Sequence, residues 1–340
     1  MPDSSLFFLI IIIVLAIGFG VANGFNDAAN AIATVIGTKV LSPRNAIIMA
    51  AFLELAGAST GLAVARTIGK GILTEEVISQ YHYVPLIAAL ASVIIWAAVA
   101  TYYGMPISVS HGFIAGLAAA GIALAGVGAV VWGVMGRVLS AVVTAPVLGF
   151  IGGFVLMIIL FWIFRRIAPA RIRVITSNLQ IISAAFMAYS HGKNDGQMPI
   201  GVMTMALVIF YQQPDLWDEL PFGSLWWVVI ISALAISLGT AMGGWRVIRT
   251  LGLRVTALQP VHGFAAQASA ATVIEVASQL GIPVSTTHCI SASIMGVGST
   301  RRLSAVRWGI AGNIVTAWIL TFPICGGLGY LFAWLLRPIF

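Results

Sequence analysis

The 340-residue sequence is 60% hydrophobic and 8% charged, with 36 glycines and a net charge of +7. A soluble domain carries about 25% charged residues, so this composition excludes a water-soluble globular enzyme and predicts an integral membrane protein. Apolar runs of about 20 residues predict spanning helices rather than barrel strands, and bases confined to short loops exclude a nucleic-acid-binding stripe.

Residues 6–21 predict a first membrane helix and not a signal peptide, because Asp3 and no base precede them. Next comes Asn23-Gly24-Phe25-Asn26-Asp27-Ala28-Ala29-Asn30, with an apolar continuation to Ile36. An Asp at the middle of a membrane helix costs roughly 2.5–3.5 kcal/mol, and Gly24 is expected to interrupt the helix beside it. A loop with Lys39 and Arg44 leads to a span over residues 45–65, carrying Glu54 near its middle. The span over 84–103 runs into Gly104-Met105-Pro106-Ile107-Ser108-Val109-Ser110-His111, then a Gly- and Ala-rich segment to about Val131. A helix over 138–164 closes the first half. Arg165, Arg166, Arg171 and Arg173, around Pro169, mark the boundary.

The second half replays the first. Asn26-Asp27 returns as Asn194-Asp195 within His191-Gly192-Lys193-Asn194-Asp195-Gly196-Gln197. Gly104-x-Pro106-x-Ser108-x-x-His111 returns as Gly281-x-Pro283-x-Ser285-x-x-His288, at an offset of about 177 residues. Thr144-x-Pro146-x-x-Gly149-x-x-Gly152 returns as Thr321-x-Pro323-x-x-Gly326-x-x-Gly329 at the same offset. Loop bases place the four central Arg, Lys39 with Arg44, Arg246 with Arg249, and Arg301 with Arg302 on the cytoplasmic side. Asp215, Asp218 and Glu219 then lie outside, as do both termini, although Arg337 argues the other way. These assignments predict an all-α, polytopic bundle of two inverted-topology repeats, 1–164 and 174–340, around a basic cytoplasmic linker, 165–173. Broken or re-entrant helices are expected at the midplane.

A helix break exposes backbone groups that only a cavity or bound ions can satisfy. Asp27 and Asp195 there offer hard oxygens for a cation or a site for a proton; the plainer reading is a carboxylate that caps a half-helix. Asn26, Asn30, Asn194 and Gln197 have amides to donate to an anion and carbonyls to offer a cation. Pro106 and Pro283 end the incoming helices, and Ser108 and Ser285 suit the N-caps of the next ones. Two half-helix N-termini facing each other, with Ser108, Ser110, Ser285, Thr286 and Thr287 adding hydroxyls, would grip a tetrahedral oxyanion. Capped kinks alone are the alternative. His111 and His288 read as helix-end residues, not metal ligands, and Cys289 and Cys325 as free structural thiols. Glu54, alone in its span, is a functional candidate, with Glu275 weighted lower. Trp226 and Trp227 fit interfacial anchors.

At these residues the chain resembles the inorganic phosphate transporter (PiT) family of ion-coupled symporters. The carriers are G-x-N-D-x-x-N-A at residues 24–31, H-G-x-N-D-G-Q at 191–197, P-V-S-T-T-H-C at 283–289 and the weaker P-I-S-x-S-H at 106–111. The resemblance implies uptake of inorganic phosphate across the cytoplasmic membrane, coupled to sodium or protons, by a non-enzyme without cofactors. It implies phosphate at Asn26, Asn194, Ser108, Ser110, Ser285, Thr286, Thr287 and Gln197. It implies the coupling ion, sodium at Asp27 and Asp195 among the choices, near Asn23, Asn30 and Glu54. Departures are Gln267 where Glu is frequent, Phe25 for a small residue, Lys193 inside the second motif and Ser110 for Thr. Sulfate permease is the alternative within the class; an intramembrane hydrolase using the paired Asp residues, or an anion channel, lies outside it. The bilayer is the other partner, nucleic acid is not one, and a homodimer is the assembly to test.

Overall fold

The computed structural model describes residues 2–339, which fold into helices joined by short turns. In chain order these are α1 Pro2–Gly37, α2 Pro43–Ala58, α3 Ala63–Gly71, α4 Glu75–Tyr81, α5 Val84–Tyr103, α6 Val109–Ala125 and α7 Trp132–Phe164. They continue as α8 Pro169–Asp195, α9 Gln197–Tyr211, α10 Trp226–Met242, α11 Trp245–Arg249, α12 Pro260–Gln279, α13 Thr286–Ser299 and α14 Trp308–Leu336. Among the described residues, four helices are long and apolar enough to cross a membrane: Leu6–Gly37, Val84–Tyr103, Trp132–Phe164 and Trp308–Leu336. Two bent pairs qualify together, Pro43–Ala58 with Ala63–Gly69 at 69° and Trp226–Met242 with Trp245–Arg254 at 61°.

The repeated Gly-x-Pro-x-Ser segments build two helical hairpins, α5 with α6 and α12 with α13. Gly104 and Gly281 end the incoming helices at φ of 70° and 67°, a region that a side chain disfavours. Pro106 and Pro283 prevent continuation. Ser108 and Ser285 then cap the outgoing helices, accepting from the His111 amide at 3.2 Å and the His288 amide at 3.1 Å.

Packing is exchanged between the halves. α1 lies on α10 and α8 on α2, while α14 lies on α6 and α7 on α13. The pattern of α7 shows how sequence dictates this. Ala141, Ala145, Gly149, Gly153 and Met157 recur every fourth position and are buried, whereas Val143, Val147, Ile151, Val155 and Ile159 form an exposed stripe. The small stripe admits the α13 backbone, and the branched stripe is suited to lipid.

Three expectations change. α1 runs unbroken through the first Asn-Asp motif, because Gly24 serves close packing: a Cβ there would collide with the Ile236 carbonyl of α10. Gly192 has the same role against the Glu54 carbonyl, and the helix divides later, at Gly196. The span expected over 45–65 instead bends after Ala58. There Ser59 donates to the Leu55 carbonyl at 2.9 Å and Thr60 to the Gly57 carbonyl at 2.8 Å, so side chains compete for the last helical acceptors. The helix expected from 138 starts at Trp132.

Candidate functional site

The first turns of α6 and α13 converge on the two motif carboxylates, which are fully buried. Thr287 Oγ1 donates to Asp27 Oδ1 at 2.6 Å, and Ser110 Oγ donates to Asp195 Oδ1 at 2.7 Å. Ser110 and Thr287 are equivalent in the repeat, so each carboxylate takes a hydroxyl from the opposite half. Thr286 Oγ1 adds a bond to Asp195 Oδ2 at 2.9 Å. Both carboxylates therefore lie at the positive ends of short helices, where free amides and the helix dipole favour negative charge.

The asparagines position this arrangement. Asn26 Nδ2 donates to Thr101 Oγ1 at 2.7 Å and to the Met105 carbonyl at 3.4 Å, while its Oδ1 accepts from the Ile107 amide at 3.4 Å. Asn194 does the same for the other hairpin, donating to the Val284 carbonyl at 2.8 Å and accepting from Ser278 Oγ at 3.2 Å. Asn194 Nδ2 also reaches Asp195 Oδ1 at 2.8 Å. Asn30 Nδ2 donates to both Thr286 Oγ1, at 3.1 Å, and Thr287 Oγ1, at 3.0 Å, which aims those hydroxyls at the carboxylates.

Of the residues expected at an anion, Ser110, Thr286 and Thr287 meet at the carboxylates. Asn26 and Asn194 are committed to the hairpin turns, and Ser108 and Ser285 to their caps. Gln197 is turned away: its Oε1 accepts from the Val64 and Ala65 amides at 2.9 and 3.2 Å, closing the α3 N-terminus, and its Nε2 donates to the Lys193 carbonyl. Asn23 is buried with neither amide atom bonded. Gln267 pins three helices, donating to the Ala31 carbonyl at 2.8 Å and accepting from Ser183 Oγ at 3.2 Å. Glu275 pairs with Lys193.

Sequence reasoning missed His191. Its Nδ1 lies 2.8 Å from Glu54 Oε1, and its Nε2 lies 3.1 Å from Asp195 Oδ2 and 3.9 Å from Asp27 Oδ2. Thr240 Oγ1 donates to the other Glu54 oxygen. The available signal was the substitution of His191 for Asn23 at equivalent places in the repeated motif. Ligand atoms of Asp27, His191 and Asp195 all lie within 4.8 Å of one another. With Ser110, Thr286 and Thr287 alongside, the oxygens form a donor set suited to a hard cation. Three carboxyl groups thus face one imidazole. Behind the first turns, the His111 and His288 rings lie 5.4 Å apart, and His288 stacks on Trp318 at 4.1 Å.

The profile of the phosphate transporter family matches residues 23–329. A probable low-affinity inorganic phosphate transporter of Rhizobium meliloti is 41% identical over 94% of this chain and 95% of its own length. One from Bacillus subtilis is 38% identical over 99% of this chain and 100% of its own. A solved structure described as the sodium-dependent phosphate transporter superposes with a TM-score of 0.88, at 25% identity, covering 98% of this chain and 100% of that one.

Proposed function

This chain belongs to the phosphate transporter family, and we propose that it is a symporter that carries inorganic phosphate inward with sodium. The carrying observation is the pair of exchanged bonds, Thr287 to Asp27 and Ser110 to Asp195, at facing half-helix N-termini. A hydroxyl has one proton and two lone pairs. Once a cation neutralises the carboxylates, each hydroxyl can offer the cation a lone pair and turn its proton to a phosphate oxygen. The α6 and α13 amide ends complete the oxyanion cradle. Cation binding thus precedes and creates the anion site, which is coupling. Sodium fits the hard oxygen set, and the neighbour described as sodium-dependent supports that choice. The exchanged packing supports two halves of opposite topology that rock about the central site.

Counterflow and uptake of labelled phosphate in proteoliposomes test this. An inward sodium gradient is expected to drive accumulation that a tenfold excess of sulfate leaves intact. Accumulation driven by a pH gradient alone would assign proton coupling, and displacement by sulfate would assign the wider oxyanion class.

A further inference from the structure

The strongest unassigned feature lies away from the carboxylates. A cavity of about 700 Å³ opens between the end of α7, the first turns of α8 and the start of α12. Its lining combines Arg165, Arg173, Thr38 and Gln259 with the apolar side chains of Leu160, Phe161 and Phe164. No acidic side chain lines it. Among the described residues, neither arginine is in an ion pair; Arg165 lies over the exposed Trp162 ring, 4.9 Å from its centre. The surroundings add more positive charge. Arg166 and Arg171 flank the cavity in sequence, and Arg301 holds Gln259 Oε1 at 3.0 Å. The N-terminal ends of two helices, beginning at Pro169 and Pro260, also belong to its wall.

We propose that this cavity binds an anionic phospholipid. The headgroup phosphate sits between Arg165 and Arg173, where bidentate guanidinium contacts suit phosphate oxygens. The glycerol end of an acyl chain lies along Leu160, Phe161 and Phe164. A free phosphate ion shares the headgroup chemistry but gains nothing from the apolar side chains, so a lining that offers both selects the lipid. Arginines near a membrane surface attract acidic lipid, and basic pockets between spanning helices hold acidic headgroups. The Trp162 ring beside Arg165 is placed as an interfacial anchor. The site also fastens the segment joining the two halves.

The test is native mass spectrometry of the purified, delipidated protein titrated with phosphatidylglycerol or phosphatidylcholine. Phosphatidylglycerol is expected to bind about tenfold more tightly. Two arginines, each worth roughly fivefold at an acidic surface, imply that Arg165→Gln with Arg173→Gln weakens it by about thirtyfold. Arg165→Lys with Arg173→Lys keeps the charge and most of the binding, which also serves if the glutamine variant does not fold. Arg44→Gln with Arg302→Gln removes two exposed charges elsewhere and is expected to change nothing. The proposal is overturned if the wild type shows no lipid preference, if the Arg44/Arg302 variant loses as much, or if millimolar inorganic phosphate displaces the lipid.

Discussion

Around Asp27 and around Asp195 the same frame is built twice, but the polar groups added to it fall on one side. The shared parts are an asparagine that holds a hairpin turn, a carboxylate, and a hydroxyl arriving from the other half. The additions are Glu54, His191, Thr240, Asn30 and Thr286. Their counterparts in the repeat are Ile236, Asn23, Ala58, Met198 and Val109, four of them apolar. Glu54 and Ile236 are matched by geometry, since their carbonyls meet Gly192 and Gly24 respectively. A symmetric frame serves a carrier that must present one site to both sides. The chain from Glu54 through His191 to Asp195 adds buried polar groups that the symmetric frame does not require.

Breaking the frame should have the largest effect. Asp27→Asn and Asp195→Asn are each expected to reduce sodium-driven phosphate accumulation to the level of empty liposomes, with normal membrane expression. Retained accumulation in either variant would separate the two carboxylates and with them the equivalence of the halves. Next comes the one-sided chain. His191→Asn, which copies the first motif into the second, leaves Glu54 buried with the Thr240 hydroxyl but without its imidazole; removing one member of such a pair costs about 3–5 kcal/mol. Thermal unfolding in detergent should show a marked fall, and adding Glu54→Gln should recover much of it. An undiminished single variant would mean that the Thr240 hydroxyl alone satisfies Glu54.

The frame's hydroxyls rank third. Ser110→Ala and Thr287→Ala each remove a bond to a charged group, worth about 1.5–3 kcal/mol, so the half-saturation constant for phosphate should rise roughly ten- to a hundredfold. Equal shifts support equivalence. Ser108→Ala and Ser285→Ala, being losses of helix caps, should instead cost about 1 kcal/mol of stability and move the constant far less. The smallest effect is expected at Lys193 and Glu275, whose counterparts are Phe25 and Ala98. Their pair is largely buried, 13% and 16% exposed, and replacing both members of such a pair by apolar residues is often close to neutral. Converting both, Lys193→Phe with Glu275→Ala, should leave the unfolding midpoint and uptake close to wild type. A large loss of uptake at unchanged stability would show this pair acting in transport.

The hairpins were legible because each of their residues has a local reason. Gly104 permits the positive φ, Pro106 stops the helix and Ser108 starts the next, all within five positions. Gly24 misled for the opposite reason. A glycine that breaks a helix and one that lets another backbone approach read alike until the partner, here Ile236, is known. The bend after Ala58 had its signal in Gly57-Ala58-Ser59-Thr60-Gly61, where hydroxyls compete for carbonyls. His191 could not be assigned from one motif, since Glu54 and Asp27 reach it from distant segments. Gln197 looked like a site residue by sequence adjacency to Asp195, yet two positions on, past the break at Gly196, it faces the start of α3.

The exchanged hydroxyl bonds also bear on turnover. Each ties a hairpin to a motif helix of the other half through a carboxylate, so moving the hairpins away from α1 and α8 in the unloaded protein means breaking both. At about 1.5–3 kcal/mol apiece, this adds roughly 3–6 kcal/mol to that step and slows it a hundred- to ten-thousandfold. Under the proposed mechanism, loaded protein, with cations on Asp27 and Asp195 and the hydroxyl protons on phosphate, is spared that barrier. Phosphate-for-phosphate exchange should then run well ahead of net uptake. The return of the unloaded protein, more than the passage of phosphate, would set the pace of the cycle.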